Sequence, residues 1–114
     1  MKFQCRDKDG ILITCSAQCW DGHIVANHPE MEGFEAYVKA AIERPYQIYQ
    51  DSVNIRNKVI YKPFILPHPY HTQFLRVAIE YKNKAFRGSR GYVLSAFPCV
   101  NIKKGDILIW TALL

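Results

Sequence analysis

The hydrophobic period of this chain changes once, at Pro45, and that change limits the fold more than any other feature. Before it, Phe34, Tyr37, Val38, Ala41 and Ile42 fall at i, i+3, i+4, i+7 and i+8, the stripe of an amphipathic helix from about Gly33 to Arg44. Pro45 stops that helix, since the residue before a proline is pushed toward extended dihedrals. Glu35, Lys39 and Glu43 fall on the solvated face and suggest no chemistry. From Tyr46 onward apolar residues recur with a period of two: Tyr46, Ile48 with Tyr49, Val59 to Phe64, Phe74 to Tyr81, Tyr92 to Phe97, and Ile107 to Trp110. Four of these strands are joined by links too short for crossover helices, which predicts largely antiparallel pairing.

The opening residues read as a hairpin. Phe3, Cys5, Ile11, Ile13 and Cys15 alternate around the turn Asp7-Lys8-Asp9-Gly10, whose glycine supplies the positive φ. Ser16 can then cap a helix to about Asn27 that puts Trp20, Ile24 and His28 on one stripe and Cys19, His23 and Asn27 on the next. Pro29 ends it by holding His28 extended. With 114 residues, 49% of them apolar, the chain is long enough for one domain with its own core. The expected architecture is α+β: an N-terminal β-hairpin and two helices packed on a four- to five-stranded antiparallel sheet, over residues 1–114. The run Ile107 to Leu114 is apolar enough for a buried edge strand or a self-association surface.

Charge is divided unevenly. Residues 1–51 hold five Lys and Arg against eight Asp and Glu, a net of −3, whereas residues 52–114 hold ten against two, a net of +8. Such a local excess concentrates polyanions and is what a nucleic-acid footprint requires, although a soluble basic surface has the same composition. No apolar run approaches the length of a membrane span and the first residues lack a signal-peptide core, so the cytoplasm is the expected compartment. Cys5, Cys15, Cys19 and Cys99 at irregular spacing read as reduced, partly buried thiols.

Several chemistries fall away. Cys15, Cys19 and His23 are spaced i, i+4, but no second Cys/His pair accompanies them, and the basic half has too few carboxylates for a two-metal nuclease, so no metal or cofactor is expected. Gly88-Ser89-Arg90-Gly91 reads as a basic turn before a strand, with no helix behind it to present to a phosphate. No nucleophile turn surrounds Ser16, Ser52, Ser89 or Ser95. What remains is RNA cleavage by attack of the 2′-OH on the adjacent phosphate, which asks for a base near neutral pKa, cations for the phosphorane charge and an acid for the leaving oxygen. His23 on the polar stripe, Arg76 facing away from Leu75, Val77 and Ile79, and Ser95 between Leu94 and Ala96 can converge where helix crosses sheet. Each also has a structural reading: a helix histidine bonded to a carbonyl, a salt bridge from Arg76 to Glu80, and a serine filling the sheet.

Trp20-Asp21-Gly22-His23-Ile24, then His28-Pro29-Glu30-Met31, Ile42-Glu43-Arg44-Pro45, Gln47-Ile48-Tyr49, Val59-Ile60-Tyr61-Lys62 and Val93-Leu94-Ser95-Ala96-Phe97 follow in order. Over residues 18–110 this series resembles the phage-type branch of the barnase/EndoU/colicin/RelE-like nuclease superfamily. The resemblance implies N-terminal helices on a four-stranded antiparallel sheet and metal-independent ribonuclease activity, often as a toxin. It also implies that the family's helix histidine falls on His23, its His-Pro on His28-Pro29 and its late serine on Ser95. The family's basic position before the central aromatic falls on Arg56 or Lys58, with Tyr61 and Lys62 after it. The reading assigns His23 as acid or base, Arg76 and Lys62 to phosphate charge, and Ser95 to positioning. His28, Arg56, Lys58, Tyr61, His71, Arg87 and Arg90 are expected to contact nucleic acid. The expected partner is RNA, with two rival readings: an inactive binding module in which Tyr61 or Tyr70 stacks on bases, or a subunit docking an acidic antitoxin or immunity protein.

Overall fold

A computed structural model of the chain describes residues 1–84 and 88–112. Strands β1 (Phe3–Arg6) and β2 (Leu12–Cys15) form the expected hairpin. Its turn is closed by Asp7, whose Oδ1 accepts the backbone N–H groups of Asp9 and Ile11 at 2.9 Å each, and by Gly10 at φ 81°. Ser16 caps the first helix, its Oγ accepting the Cys19 N–H at 3.0 Å. That helix is α-helical over Ala17–Cys19, widens to a π-turn over Trp20–Ile24 and returns to α over Val25–Asn27. Trp20 and Ile24 are buried on its inner stripe, and His23 is exposed. The residue before Pro29 leaves the helical region as expected, His28 standing at φ −136°, ψ 78°. A 3₁₀ turn (Pro29–Met31) leads to the second helix, Glu35–Glu43, which buries Val38, Ala41 and Ile42.

Five further strands follow: β3 (Gln47–Gln50), β4 (Asn57–Pro63), β5 (Phe74–Lys84), β6 (Gly88–Cys99) and β7 (Ile107–Thr111). All join one seven-stranded sheet in the order β1-β2-β6-β5-β4-β3-β7, antiparallel throughout except for the parallel pair β2–β6. The α+β class therefore holds, and the expectation of a four- to five-stranded antiparallel sheet is corrected. The hairpin does not stand apart but extends the sheet through Leu12↔Arg90, Ile13↔Gly91 and Thr14↔Tyr92. Gly91 permits this close approach: a Cβ there would overlap Ile13 Cδ1. The basic turn expected at Gly88-Ser89-Arg90-Gly91 is corrected likewise, since β6 begins at Gly88 and pairs Arg90 with Lys82 of β5. Arg87 lies outside the described residues.

Strand alternation divides the sheet into two unlike faces. Leu75, Val77 and Ile79 of β5 join Ile13, Ile60 and Val93 beneath the helices in the main core, where Trp20, Met31, Val38 and Ile42 are fully buried. Each such aliphatic side chain contributes about 1.5–3 kcal/mol. On the other, open face a smaller core of Val59, Tyr61 and Ala78 is packed by Tyr49, Phe74, Leu94, Cys99 and Ile102. β6 pairs with β2 only over residues 90–92, and the first helix covers the next stretch of its edge, where the Cys19 thiol donates to the Val93 carbonyl at 3.1 Å. All four cysteines are free thiols. At the far edge, β7 exposes Ile107, Leu108 and Ile109 to 63%, 45% and 48%, and among the described residues of this run only Trp110 and Ala112 are half-buried, so the buried edge strand offered by the sequence is not formed over Ile107–Ile109. No helix among the described residues is long and apolar enough to cross a membrane.

Candidate functional site

The register of the sheet aligns Gln47, Tyr61, Arg76 and Phe97 in one row across β3, β4, β5 and β6 on the open face. Arg76 sits at its centre. Its Nε donates to the Tyr61 hydroxyl at 3.3 Å, and its guanidinium lies 5.3 Å from the Phe97 ring centre. The same Tyr61 oxygen accepts the backbone N–H of Lys103 at 3.0 Å, which fastens the loop after β6 over this row. The His28 ring stacks on Phe97 as well, with centroids 4.6 Å apart and planes inclined by 21°. Pro29 is the local cause: it turns His28 out of the helix, so the imidazole leaves the helical stripe on which Trp20 and Ile24 continue.

Electrostatically, Arg76 is available. Among the described residues no carboxylate lies within the 4.0 Å of an ion pair, and of its N–H groups only that of Nε donates a hydrogen bond. The salt bridge to Glu80 offered by the sequence is not formed; Glu80 pairs with Lys82 at 3.6 Å. Asp51 feels Arg76 at longer range. Its carboxyl is held below the usual value by the Val53 N–H first, then the Asn54 N–H, with Lys103 and Arg76 adding smaller attractions. Ser95, opposite Ala78, lies on the same face one row from Arg76.

The remaining expected residues are dispersed. His23 is exposed, and its ring and carbonyl are engaged by the Asn27 amide at 3.2 and 2.8 Å; no contact joins it to Arg76 among the described residues. Lys62 is adjacent to Tyr61 in a strand and therefore faces the helices, where its Nζ donates to the Arg44 carbonyl at 2.7 Å and closes the second helix. It serves as a cap on the wrong side of the sheet for Arg76. Lys58 faces the helices too, with its ammonium 4.9 Å from the Tyr81 ring centre. Tyr61 is fully buried and Tyr70 packs against the main core, so neither is a platform for bases. His71 is exposed and stacked on His68 at 5.1 Å. Arg56 is exposed in the loop before β4, beside Lys82 and Asn83. Arg90 faces Lys82 across β5 and β6 on the open face, on the rung six residues along β5 from Arg76, about 20 Å away at strand spacing.

Two residues were not singled out from sequence. Phe97 read only as the end of a strand, because its role comes from register with Arg76. Phe64 stands just beyond β4 with φ 61° and 82% of its surface exposed. A bulky aromatic rarely adopts that conformation, which costs about 1–2 kcal/mol. It follows Pro63, whose partner Phe74 is two residues from Arg76 along β5.

Set against known proteins, the chain matches no family model, no curated protein and no solved structure.

Proposed function

We propose that this chain binds RNA across the open face of its sheet, with Arg76 holding a backbone phosphate. One observation carries the reading: a guanidinium fixed by a buried tyrosine hydroxyl and an aromatic ring, with no carboxylate paired to it among the described residues. An arginine so held loses little freedom on meeting a phosphate, and its remaining N–H groups form the fork that bidentate recognition uses. Arg90 and Lys82 further along β5 and β6 extend the same face toward a second phosphate, and Lys103 and Lys104 flank it. The exposed ring of Phe64 suits stacking on a base.

A second reading is favoured by His28. Packing of an imidazole and the phosphate-holding arginine on one ring supplies, in one neighbourhood, the two kinds of group that metal-independent cleavage by the 2′-OH uses, a base or acid and a cation. This reading moves the acid–base role from His23 to His28 and removes Lys62 from the phosphate. It keeps the nuclease chemistry expected from the resemblance to barnase and RelE-like nucleases, whose fold is the finer arrangement proposed for this α+β chain, but departs from that resemblance in using the histidine of the His-Pro pair. An acidic protein docking on the same face is the competing occupant.

The test is incubation of the purified chain with mixed-sequence single-stranded RNA in excess chelator, beside Arg76→Ala, His28→Ala and His23→Ala. Binding that weakens with salt and falls in Arg76→Ala supports the binding face. Products ending in 2′,3′-cyclic phosphate, lost in His28→Ala and kept in His23→Ala, support cleavage. RNA that is neither bound at low salt nor cut overturns both.

A further inference from the structure

On the helix-covered side of the sheet, remote in sequence register from the row at Arg76, is a cavity of about 190 Å³. Its floor is apolar, made by Ile42 of the second helix, Ile48 of β3 and Ile60 of β4, and its aromatic walls are Tyr81 and Trp110. The rim carries charges from Asp7, Lys8 and Asp9 of the hairpin turn and from Lys58.

Most of these polar groups are already committed. Asp7 Oδ2 accepts the Tyr81 hydroxyl at 2.8 Å while its Oδ1 is held by the turn. Burial, and then the Asp7 bond, push the Tyr81 pKa well above the ordinary tyrosine value, so the hydroxyl remains a donor to Asp7. Lys8 is neutralised by Asp9 at 3.1 Å and lies 4.8 Å from the Trp110 ring centre. Lys58 is the exception. It has no ion-pair partner among the described residues and is half-buried over the Tyr81 ring.

The rim is neutral as a whole, but Lys58 is its one charged group that no hydrogen bond or ion pair engages among the described residues, and an apolar, aromatic-walled cavity with such a cation at its edge suits one kind of guest. We infer that this cavity binds a small carboxylate bearing one aromatic ring or a branched aliphatic group, its body on the Ile42, Ile48 and Ile60 floor and its carboxylate on Lys58. The size is adequate, because an apolar cavity of about 150 Å³ already accepts benzene. The geometry is that of a ligand site: mostly apolar lining with few convergent polar groups.

The experiment titrates phenylacetate into the full chain, followed by calorimetry and by Trp110 fluorescence, with benzylamine as the cation of the same shape. Saturable one-to-one binding at about a millimolar or tighter is expected for phenylacetate, with benzylamine at least about tenfold weaker. Lys58→Met keeps the length of the side chain and is expected to weaken phenylacetate about tenfold. Ile109→Trp changes a half-exposed residue of the lining, leaves the core intact and is expected to reduce binding by narrowing the mouth. Absence of saturable binding, equal affinity for benzylamine, or indifference to Lys58→Met in a folded variant would overturn the assignment.

Discussion

The two faces of this sheet are made by the same strands, and they spend their side chains differently. At its centre the covered face is aliphatic and fully buried: Leu75, Val77 and Ile79 share one core with Trp20, Ile24 and Ile42. The open face alternates with it residue by residue and carries Arg76, Glu80 and Lys82 from β5 and Ser95 and Phe97 from β6. On the first face a residue is fixed by volume, and a change there should be read as lost stability. On the second it is fixed by hydrogen bonds and ring contacts, and a change should be read first as lost binding. The central strands thus separate the folding problem from the proposed RNA binding, and the comparison fails if variants on their two faces behave alike.

The largest effect is expected on the covered side of the β2–β6 junction. Gly91→Val places atoms where Ile13 Cδ1 and Ile79 Cγ2 already sit, and both isoleucines are fully buried. Overpacking of this kind costs about 1–3 kcal/mol, and denaturant unfolding should show a lower midpoint. At a temperature where the variant is still folded, RNA affinity should be close to that of the parent.

Arg76→Ala reverses the pattern. Stability should change by less than about 1 kcal/mol, since the residue is half-buried on the open face and pairs with no carboxylate. RNA affinity should fall about tenfold, and the slope of log affinity against log salt should lose about one unit, the signature of one phosphate contact. Arg76→Lys keeps the charge without the fork and should fall between. Titration at several salt concentrations decides it; an unchanged slope would remove Arg76 from the phosphate.

Tyr61→Phe joins the two faces' behaviours in one residue. The ring stays buried among Tyr49 and Phe74, but the oxygen that accepts from Arg76 and from the Lys103 N–H is gone. The Lys103 N–H belongs to an exposed residue and can turn to water, so losing this hydrogen bond costs about 0.5–1.5 kcal/mol. A smaller loss of RNA affinity, a few-fold, should accompany it because the guanidinium loses its anchor. Equilibrium unfolding and the same salt titration measure the two parts separately.

How much of this was legible in the sequence follows the same division. The covered face is written in periodicity: the stripe from Phe34 to Ile42, the alternation through β4, β5 and β6, and the stops at Pro29 and Pro45 all state which residues turn inward. Placing Arg76 opposite Leu75 and Val77 needed no more than a period of two, and the structure agrees. The same parity also sends Lys62 away from Arg76, which motif order alone concealed. Strand pairing is a different kind of information. Nothing local in Leu12, Ile13 and Thr14 states that they run parallel to residues 90–92, and without that pairing the hairpin is not part of the sheet. The partners of Arg76 come from register as well: Tyr61 and Phe97 are 15 and 21 positions away, and His28 arrives from the end of a helix. A candidate site assembled from long-range contacts is read poorly by any method that reads along the chain.

Phe64 gives the smallest expected change in stability and the sharpest form of the contrast. Its φ of 61° is the left-handed region, where a side chain costs about 1–2 kcal/mol, and at 82% exposure the ring recovers almost none of that by burial. Glycine relieves the strain but loosens the unfolded chain by about 0.5–1 kcal/mol. Phe64→Gly should therefore be more stable than the parent by about 0.5 kcal/mol, while Phe64→Ala keeps the strain and should be close to neutral. If the ring stacks on a base, both variants should lose RNA affinity to a similar extent, since base stacking on an aromatic is worth about 1–3 kcal/mol. A stabilised Phe64→Gly that binds RNA as well as the parent would leave the strained ring without a role on the open face. A stabilised variant that binds less well would mean that this position trades stability for contact, the opposite of every position beneath the helices.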